Sequence, residues 1–561
     1  MGLLKKYFFV WGMFALTAPG LAQTSHTDER ISLEIRKVFE ASEDQNFRLF
    51  ENTYIHSPDL VLEFYSQRDF REAWIEDGKL TRHAYEFRYL VRRAKYDGLV
   101  PEDYHLPQID DFFEAREKNE RYGSAMELAA ADIVLTDAFI LYAGHLYSGK
   151  VDPEHAVSGW NIEKKSTDPK ILKGLEDALA EGEIREHLEA FRPKFPVYQR
   201  MQRSLVRYYE KEKEITGTWN PISIRTAIKP NERHAAIPVI RERLLFWNEL
   251  EVYEWTDKDL YDSLMLSGVQ AFQQKNGLNP DGVIGSATVR ALNKNPRDLI
   301  RQTAVNLERL RWLPDTILQE FILVNIANYS MDYIKNRDTL LHSNAIVGRA
   351  YRRTPVFNAP MTYLVFSPTW TVPPGILRND VIPAVKKDPR YLASKNMRLL
   401  THSGNEVDPY TLDWSSISAS NFPYMVRQDP GPDNSLGLVK FMFPNRYNVY
   451  IHDTPARELF ARDDRALSSG CIRIQKPFEL AYLLLADQPL WTGERILMAM
   501  NSGREQKVSL RRQIPVIILY LTFWTAGDGT PMVRHDVYER DQDLYKLLTR
   551  KIASDGLLQK L

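Results

Sequence analysis

The spacing of apolar residues changes once along this 561-residue chain, and that change constrains the fold more than any other feature. Between residue 30 and about residue 215, apolar residues recur every three or four positions, as in Met126-Glu-Leu-Ala-Ala-Ala-Asp-Ile-Val-Leu, which is typical of helices. From about residue 318, short β-type runs such as Phe321-Ile-Leu-Val-Asn-Ile take over. The sequence therefore predicts a multidomain α+β protein with a helical N-terminal scaffold and a mainly β C-terminal domain.

Length and composition limit the classes of protein that remain. A chain of 561 residues is too long for one hydrophobic core, so about two to four domains are expected. The 73 basic residues nearly balance the 74 acidic residues, which leaves no overall basic field for nucleic acid. Because 44% of the residues are hydrophobic, the chain can form sizeable cores and does not have the composition of a disordered protein.

The first 22 residues have the layout of a secretory signal peptide. Lys5 and Lys6 form a basic segment, the stretch from Tyr7 to Ala18 is apolar, and small residues up to Ala22 offer a cleavage site. The apolar stretch is shorter than the roughly 20 residues that a membrane-spanning helix needs. We therefore expect export with removal of residues 1–22; retention as an N-terminal anchor is the alternative.

Residues 231–296 have the features of a small separate domain. Within it, Val269, Phe272 and Gln273 fall on one helical face, and Asp281-Gly282 marks a tight turn. This stretch resembles the three-helix peptidoglycan-binding domain family, whose pattern of V-x-x-F-Q, G-L, D-G-x-I-G and L-N it follows. The resemblance implies a wall-binding module. The alternative is that the fold persists only as a spacer.

Residues 372–435 interrupt the β-type pattern with many Pro, Asp, Asn and Ser residues. This composition predicts an irregular insertion. Because long loops in compact domains are often lids or binding elements, we interpret the insertion as a lid over a substrate site.

Cys471 is the only cysteine in the chain. Exported proteins usually use cysteines in pairs as disulfides, and a single thiol cannot form an internal disulfide. Three interpretations follow: a buried small hydrophobe, a link to another molecule, or a reactive thiol. The residues around Cys471 favour the third.

A histidine precedes this thiol at a suitable spacing. Asn448-Val-Tyr-Ile-His452 has the pattern of a strand, and Cys471 begins another such run 19 residues after the histidine. Two strand ends arranged in this way can bring imidazole and thiol together. A neighbouring imidazolium would lower the pKa of the thiol and store its proton, while the amides of Gly470 and Cys471 would face a developing oxyanion.

The segment His452-Asp-Thr-Pro, followed by Ser468-Ser-Gly-Cys-Ile-Arg473, resembles the catalytic motif of the YkuD-type L,D-transpeptidases, a histidine followed by S-x-G-C-x-R/N. The resemblance extends over about residues 318–500. With the helical N-terminus and the wall-binding unit, the chain is similar to the large, YcbB-like branch of that family. Ser469 departs from the histidine that most of the family has there; serine is frequent in the large branch, so no second histidine is expected nearby.

The resemblance implies a role for each residue of the motif. Cys471 would be the nucleophile, His452 the general acid and base, and Gly470 a backbone donor to the oxyanion. A backbone carbonyl at or near Asp453 would orient the imidazole; the Asp453 side chain is the alternative.

Four further residues are candidates for substrate binding. Arg473 resembles the family's contact to a substrate carboxylate, with a surface ion pair as the alternative. Tyr450 lies two residues before His452 and so on the same strand face, and Trp370 resembles a pocket-wall aromatic of the large branch; core packing is the alternative for both. Ser469, beside the glycine of the motif, completes this set.

The reaction that the resemblance implies is acyl transfer between peptidoglycan stem peptides in a periplasm, giving a 3→3 cross-link with release of D-alanine and without a metal or organic cofactor. Carbapenems are expected to acylate the thiol. Three alternatives stay open: water as the acceptor, as in an L,D-carboxypeptidase or endopeptidase; attachment of a protein to the wall or exchange of a terminal D-amino acid; and a non-catalytic peptidoglycan-binding scaffold. The expected partners are donor and acceptor stems and other wall-synthesis enzymes, without nucleic acid.

The predicted layout covers the whole chain. It consists of a signal peptide at 1–22, a helical scaffold at 23–230, a peptidoglycan-binding-like domain at 231–296, a linker helix at 297–317, a catalytic domain at 318–505 with its lid-like insertion at 372–435, and a C-terminal strand and tail at 506–561 that packs on the catalytic domain.

Overall fold

A computed structural model describes most of the chain. The described ranges are 26–40, 48–50, 53–119, 123–156, 159–163, 165, 170–255, 257–316, 318–418 and 420–552. The predicted signal peptide at 1–22 lies outside them. Within these ranges, none of the helices combines the length and apolarity needed to cross a membrane.

The N-terminal region is helical, which confirms the prediction for this part of the chain. Its helices are α1 (His26–Glu40), α2 (Pro58–Gln67), α3 (Arg82–Arg92), α4 (Leu106–Asn119), α5 (Ala125–Ser148), α6 (Pro153–Ala156), α7 (Lys170–Glu181), α8 (Ile184–Phe191) and α9 (Pro196–Lys213). Two short hairpins accompany them, β1 (Arg48–Phe50) with β2 (Thr53–Tyr54), and β3 (Ile75–Glu76) with β4 (Lys79–Leu80).

Helix α5 is the centre of this region because it is apolar on all sides. Residues 128–146 are buried, and α5 contacts α1, α2, α4, α7 and α8. Two buried carboxylates on α5 accept hydrogen bonds from the backbone of neighbouring segments, Asp132 from Trp74 N–H (2.8 Å) and Asp137 from Ser57 N–H (2.8 Å). These bonds satisfy the buried charges and attach the surrounding segments to the central helix.

The next unit contains three helices around its own apolar core, as predicted for a small three-helix domain. They are α10 (Ile237–Phe246), α11 (Ser263–Lys275) and α12 (Ser286–Leu292), and helix α13 (Pro296–Arg311) follows. Val269 and Phe272 are buried in the core. Gln273 accepts from Gly282 N–H (2.9 Å) and donates to the carbonyl oxygen of Val283 (3.0 Å), which fixes the turn before α12.

The C-terminal half is mainly β, which confirms the predicted fold class. Its strands are β5 (Glu320–Asn325), β6 (Ser330–Lys335), β7 (Asp338–Gly348), β8 (Phe357–Phe366), β9 (Trp370–Thr371), β10 (Met397–Thr401), β11 (Glu406–Val407), β12 (Tyr424–Gln428), β13 (Val439–Met442), β14 (Ile451–His452), β15 (Ala466–Ser468), β16 (Ile472–Ile474), β17 (Gln506–Leu519), β18 (Phe523–Thr525) and β19 (Pro531–Val533). Its helices are α14 (Pro374–Ile376), α15 (Ile382–Lys387), α16 (Tyr391–Ser394), α17 (Pro477–Leu484), α18 (Gly493–Met500) and α19 (Asp541–Leu548).

Nine of these strands form one sheet in the order β15-β7-β16-β14-β13-β8-β17-β5-β6. Strand β6 also pairs with β7, and this pairing closes eight of the strands into a ring. Buried side chains such as Ile322, Leu364, Phe441 and Ile518 fill the core beneath the strands. Closure leaves few free strand edges and gives a rigid frame for the residues at the strand ends.

The insertion at 372–435 is more regular than its composition predicts. It belongs to a four-stranded sheet of order β11-β10-β12-β9 with a separate apolar core that includes Val385 and Leu399. The prediction of an irregular insertion is therefore wrong. Its strands join residues far apart in the chain, such as Trp370 and Gln428, so local composition does not reveal them.

Helix α13 connects the N-terminal helices to the β region and is buried along most of its length. It contacts α5 and α9 on one side and β18 and α19 on the other. Gln302 Nε2 donates to the carbonyl oxygens of Thr522 (2.9 Å) and Arg534 (2.8 Å), and Arg311 donates to the carbonyl oxygen of Asp97 (2.7 Å). One helix thus ties the scaffold to the β region.

Candidate active site

Strands β14 and β16 lie side by side and parallel, and their pairing assembles the site. His452 pairs with Arg473. Paired residues of parallel strands share a face of the sheet, and side chains alternate between the two faces along each strand. Tyr450 lies two positions before His452, and Cys471 lies two positions before Arg473, so both lie on that same face. The Tyr450 and His452 rings have centroids 5.6 Å apart, and the charge of Arg473 lowers the pKa of both the imidazole and the thiol. The fold brings these four predicted residues together.

The Cys471 thiol is partly exposed, although protein atoms surround most of it. Its Sγ lies 3.7 Å from the carbonyl oxygen of Asn448, and both the backbone N–H and the hydroxyl of Tyr450 hydrogen-bond to it. Burial raises the pKa of the Cys471 thiol above its ordinary value of 9.0. The Tyr450 hydrogen bonds and the charge of Arg473 lower this pKa, but burial outweighs them.

The His452 imidazole is buried at the end of β14. Its Nδ1 lies 2.6 Å from the carbonyl oxygen of Asp453, which can only accept, so Nδ1 carries a proton and Nε2 is left as the basic nitrogen. The pKa of His452 is lowered to about 3, chiefly by burial and also by the charges of Arg473 and Lys440. The carbonyl groups of Asp453 and Leu436 act in the opposite direction.

The backbone of Asp453 orients the imidazole, and its side chain has a different task. Asp453 Oδ2 accepts from the backbone N–H of Leu438 (2.9 Å), and Oδ1 accepts from Arg457 (3.0 Å). A Cβ at Gly437, where φ is +61°, would clash with Asp453 Oδ2. The carboxylate therefore fixes the tight turn that leads into β13, beside the histidine.

These pKa shifts change the expected charge state of the pair. The sequence predicts an imidazolium that lowers the pKa of the thiol. In the structure, burial raises the pKa of Cys471 and lowers that of His452, so both groups are uncharged at neutral pH. The expectation of a resting imidazolium is wrong because burial penalises the charged form of both groups.

Gly470 precedes the thiol in a left-handed backbone conformation, with φ of +118°. Its N–H donates to Ser468 Oγ (3.1 Å) and its carbonyl oxygen accepts from Thr354 Oγ1 (2.8 Å), so the loop is held from two sides. The Cys471 N–H has no acceptor among the residues that the structure describes. Of the two amides predicted to face an oxyanion, that of Gly470 is already engaged and that of Cys471 is available.

Cationic side chains dominate the charge around the pair. Arg473 Nε is buried without a hydrogen-bond partner, and across the described ranges no carboxylate forms an ion pair with Arg473. Burial lowers the pKa of Arg473, and the neighbouring charge of Arg349 lowers it further. Lys440 lies opposite His452 on the adjacent strand β13. An uncompensated guanidinium beside a thiol is suited to an anionic group of a substrate.

Trp370 and Ser469 lie where the site meets the insertion. Trp370 begins β9 of the insertion sheet, and its indole N–H hydrogen-bonds to the Tyr450 hydroxyl, which also contacts the thiol. Ser469 Oγ accepts from Arg352 Nη1 (2.9 Å), and the same nitrogen donates to Asp380 Oδ2 in the insertion (2.6 Å). The Arg352 bridge thus joins the insertion to the cysteine loop, and Trp370 links the insertion sheet to Tyr450 beside the thiol.

Sequence reasoning missed the cations of the site other than Arg473. Arg349 and Arg352 belong to the run Arg349-Ala-Tyr-Arg-Arg353 after β7, which has the composition of a solvated turn, and Lys440 is one polar residue in an apolar strand. Only the pairing of strands in the folded sheet places these three cations beside Cys471 and His452. The described residues contain no group of three or more His, Cys, Asp or Glu side chains that could hold a metal ion.

Three segments of the chain match known protein families. Residues 59–205 match a scaffold domain, residues 245–292 match a peptidoglycan binding domain, and residues 319–509 match the L,D-transpeptidase catalytic domain. The third match contains every residue of the site described above.

One curated relative and two solved structures are similar to parts of the chain. A Haemophilus influenzae protein named as an L,D-transpeptidase is 38% identical over 247 residues, which are 44% of this chain and 49% of that protein. The match thus spans about half the length of the relative.

The solved structures are an L,D-transpeptidase from Xylanimonas cellulosilytica and a fused zinc-dependent amidase, peptidase and peptidoglycan-binding protein from Clostridium acetobutylicum. The first is 12% identical with a TM-score of 0.17, covering 54% of this chain and 100% of its own. The second is 13% identical with a TM-score of 0.15, covering 52% and 99%. At these TM-scores neither structure bears on the fold.

Proposed function

Because the chain carries an L,D-transpeptidase catalytic domain and a peptidoglycan-binding domain, we propose that it forms 3→3 cross-links between peptidoglycan stem peptides through a thioester on Cys471. One observation carries the proposal: Cys471, His452 and Arg473 share one face of two paired strands, beside an available backbone N–H. That arrangement supplies a nucleophile, a base and a cation at one place. The later steps follow from these groups.

The first half of the reaction transfers an acyl group to the thiol. Cys471 Sγ attacks the carbonyl carbon of the third residue of a donor tetrapeptide, a diamino acid, and the thiol proton passes to Nε2 of His452. The Cys471 N–H donates to the oxyanion that develops. The C–N bond to the terminal D-alanine then breaks, His452 returns the proton to the leaving amine, and a thioester remains.

The second half transfers the acyl group to an acceptor stem. The side-chain amine of a second stem's diamino acid attacks the thioester carbonyl and gives its proton to His452. The C–S bond breaks, the Cys471 sulfur takes the proton back, and an amide joins the two stems. No net redox change occurs. Arg473 would bind a carboxylate of the stem and hold the carbonyl carbon against the thiol.

The uncharged resting pair fits this sequence of steps. A neutral imidazole with a basic Nε2 can accept a proton as the thiol attacks, whereas a resting imidazolium could not. The protonated imidazole that forms is next to Arg473 and Lys440, which disfavour its charge and so favour prompt proton delivery to the leaving amine.

The insertion at 372–435 would act as a lid that favours an amine over water as the acceptor. Asp380 of the insertion reaches the cysteine loop through Arg352, and Trp370, which pairs with β12 of the insertion, adjoins Tyr450; both contacts support a role in covering the donor site. Replacing 372–435 by a short turn should raise the ratio of hydrolysis to cross-linking. An unchanged ratio, measured with the same donor, would contradict this role.

The proposed reaction takes place outside the cytoplasmic membrane, where peptidoglycan lies. We propose that the protein reaches the periplasm through the N-terminal segment 1–22 and that this segment is removed. N-terminal sequencing of the protein recovered from the periplasm would test this. A start at Met1 would contradict removal.

The test of the proposed chemistry is mass spectrometry of purified disaccharide-tetrapeptide incubated with the protein and with its Cys471→Ala variant. The expected product is a dimer that lacks one D-alanine and forms only with the unsubstituted chain. Circular dichroism and thermal unfolding of both chains control for folding. A carbapenem should add its mass to the unsubstituted chain and leave Cys471→Ala unmodified.

Other products would point to other functions. Tripeptide monomer without dimer would mean that water is the acceptor. A folded protein that gives no Cys471-dependent product and no carbapenem adduct would be a peptidoglycan-binding scaffold, and the proposal would fail.

A further inference from the structure

A row of arginines on α9 lines a cavity away from the cysteine site. Arg200, Arg203 and Arg207 recur every three or four residues, so they lie on one side of the helix. Together with Thr525 and Gly529 they line a cavity of about 330 Å³ between α9 and the β18–β19 hairpin. We call this cavity the arginine groove.

Neutral acceptors, rather than carboxylates, hold two of these guanidinium groups in place. Arg200 Nε donates to the carbonyl oxygen of Thr525 (3.0 Å), and Arg207 Nη2 donates to Ser204 Oγ (3.0 Å) and to the carbonyl oxygen of Gly529 (3.1 Å). In the part of the chain that the structure describes, no carboxylate forms an ion pair with any of the three arginines. The charges of Arg200 and Arg207 are therefore fixed in position, and none of the three charges is compensated by an ion pair.

Other cations on or near α9 are compensated, so the groove is an exception. Lys211 pairs with Glu214 (2.7 Å), and Lys213 pairs with Glu210 (2.8 Å). Three like charges around one cavity repel each other and favour an anion between them. The planar, forked guanidinium group matches the two oxygens of a carboxylate in particular.

A second cavity beside the groove belongs partly to the peptidoglycan-binding domain. Arg207 also lines this cavity, of about 240 Å³, together with Trp247, Phe272 and Lys275 from that domain. Lys294 lies in the same wall and donates to Gln302 Oε1 (2.8 Å). Lys275 forms an ion pair with Glu249 (2.7 Å), which also lines this cavity, so the aromatic faces there suit the sugar or alkyl surface of a ligand whose carboxylates lie in the arginine groove.

We propose that the arginine groove binds free carboxylates of peptidoglycan stem peptides while the adjoining cavity holds another part of the same wall polymer. The proposal rests on peptidoglycan being the substrate, as proposed above, and adds a second contact with it outside the cysteine site. Arg207 lines both the groove and the cavity of the peptidoglycan-binding domain, which favours this ligand over the phosphates of an anionic lipid surface. The groove would hold the wall in place during transfer between stems.

The test measures binding to purified, insoluble peptidoglycan by co-sedimentation. All chains carry Cys471→Ala, so turnover does not alter the wall. Arg203→Glu is the test variant because Arg203 is exposed and makes none of the fixed contacts of its neighbours. Arg82→Glu is the matched control, since Arg82 is an exposed arginine at the start of α3. We expect Arg203→Glu to weaken binding about tenfold and Arg82→Glu to leave it unchanged.

Two further arms identify the ligand. On glycan strands stripped of stem peptides by an amidase, Arg203→Glu and its parent should bind equally. On vesicles of phosphatidylglycerol, neither Arg203→Glu nor its parent chain should bind more tightly than Arg82→Glu. Equal binding of Arg203→Glu and Arg82→Glu to intact wall would overturn the proposal. A loss of binding by Arg203→Glu that persists on stripped glycan, or that also appears on vesicles, would overturn it as well.

Failure of this inference can be told apart from failure of the proposed chemistry. Dimer formation from soluble tetrapeptide is measured with the Cys471-intact chain. If dimers form but Arg203→Glu binds wall normally, the groove proposal alone fails. If no dimer forms but Arg203→Glu loses wall binding, the groove stands and the proposed chemistry fails.

Discussion

At the scale of single residues, Cys471 and His452 are both held uncharged, and this determines how the thiol should react. Because burial raises the pKa of Cys471, the reactive thiolate is scarce at neutral pH and increases as the pH rises past the ordinary value of 9.0. We therefore expect the alkylation rate with iodoacetamide to keep rising between about pH 7 and pH 10. Cys471 is the only cysteine, so the measurement reports on it alone.

The denatured chain provides the control for this prediction. Its thiol should titrate at a lower pH than the folded one, because unfolding removes the burial that raises the pKa. A plateau in the rate from about pH 4 to pH 8, as thiolate–imidazolium pairs give, would contradict the uncharged pair.

Gly470 is the second residue whose role can be measured. Its φ of +118° is rarely adopted by L-residues, while a Cβ would meet its nearest atom, the carbonyl oxygen of Arg352, only at 3.9 Å. The cost of Gly470→Ala is therefore conformational, roughly 1–3 kcal/mol. We expect the loop to shift, the Cys471 N–H to move off the oxyanion, and kcat to fall about tenfold or more.

Gly503 offers a matched control, since it also has a positive φ, +64°, and an added Cβ there would have no atom within 4 Å. Gly503→Ala should lower Tm by a similar amount and leave kcat unchanged. Equal kcat losses in both variants would mean that general destabilisation, and not the position of the Cys471 N–H, explains the effect.

Single residues of the site differ in how far sequence could identify them. Cys471 and His452 belong to a short motif with fixed spacing, so the pattern alone nominates them. The charge state of the pair depends on burial, which spacing does not contain. Arg349 follows β7 and Lys440 lies in β13, and these strands come next to β16 and β14 only through the sheet order, so no local pattern connects the two cations to the thiol.

At the scale of elements, the contact between the insertion and the cysteine loop depends on one arginine. Arg352 joins Ser469 to Asp380, and its ion pair with Asp380 is only partly shielded from solvent, with 16% and 41% of the two side chains exposed. Such a pair contributes about 1 kcal/mol. We expect Asp380→Asn to speed hydrogen exchange of segment 377–381 about fivefold and to raise KM for the donor stem.

Arg378→Gln is the matched control for that variant. Arg378 lies two residues from Asp380, is exposed and takes no part in the bridge to Ser469. It should leave exchange and KM unchanged. If Asp380→Asn behaves like Arg378→Gln, the bridge does not hold the insertion on the cysteine loop.

The insertion also shows why element prediction from sequence is uneven. Helix α5 is long and strongly apolar, so its existence follows from the sequence. The insertion strands are short, and their partners lie tens of residues away, as Leu399 pairs with Val426. Their core forms from scattered apolar residues whose meeting depends on tertiary contacts, and polar composition hides it.

At the scale of the whole molecule, the partners of a buried ion pair hold helix α13 against the N-terminal helices. Glu308 and Arg311 are both fully buried, with Arg311 Nη2 at 2.5 Å from Glu308 Oε2. Glu308 also accepts from the backbone N–H of Val151 (2.6 Å), and Arg311 Nη1 donates to the Tyr198 hydroxyl (2.9 Å). Removing one partner leaves the other charge buried and unpaired.

We therefore expect Glu308→Ala to lower the free energy of unfolding by roughly 3–5 kcal/mol, measured by urea denaturation. Arg301→Ala on the same helix is the control, because Arg301 is largely exposed and its ion pair with Asp298 is long, at 4.0 Å. That variant should change stability by less than about 0.5 kcal/mol. Equal small effects would mean that this ion pair does not hold α13 against the N-terminal helices.

The three main units could be identified from sequence because each has its own periodicity or motif. The way in which these units pack together could not be predicted from the sequence. Arg534, in the C-terminal region, donates to the carbonyl oxygen of Lys275 at the end of α11, 2.9 Å away, and a Cβ at Gly277 would meet the Arg534 side chain at 2.5 Å. Contacts of this kind join residues more than 250 positions apart and depend on shape, which no local pattern encodes.

The pairing of Phe366 with Val439 bears on the order in which the protein folds. The chain leaves the large sheet after β8 and re-enters it beside β8 as β13, so the insertion is topologically the loop of one antiparallel hairpin. Closing a loop of about 70 residues is slow for an unstructured chain, because the entropy of closure must be overcome first. The insertion has its own core. If that core forms early, the two ends of the insertion come together, and the hairpin of β8 and β13 then forms as a nearly local event.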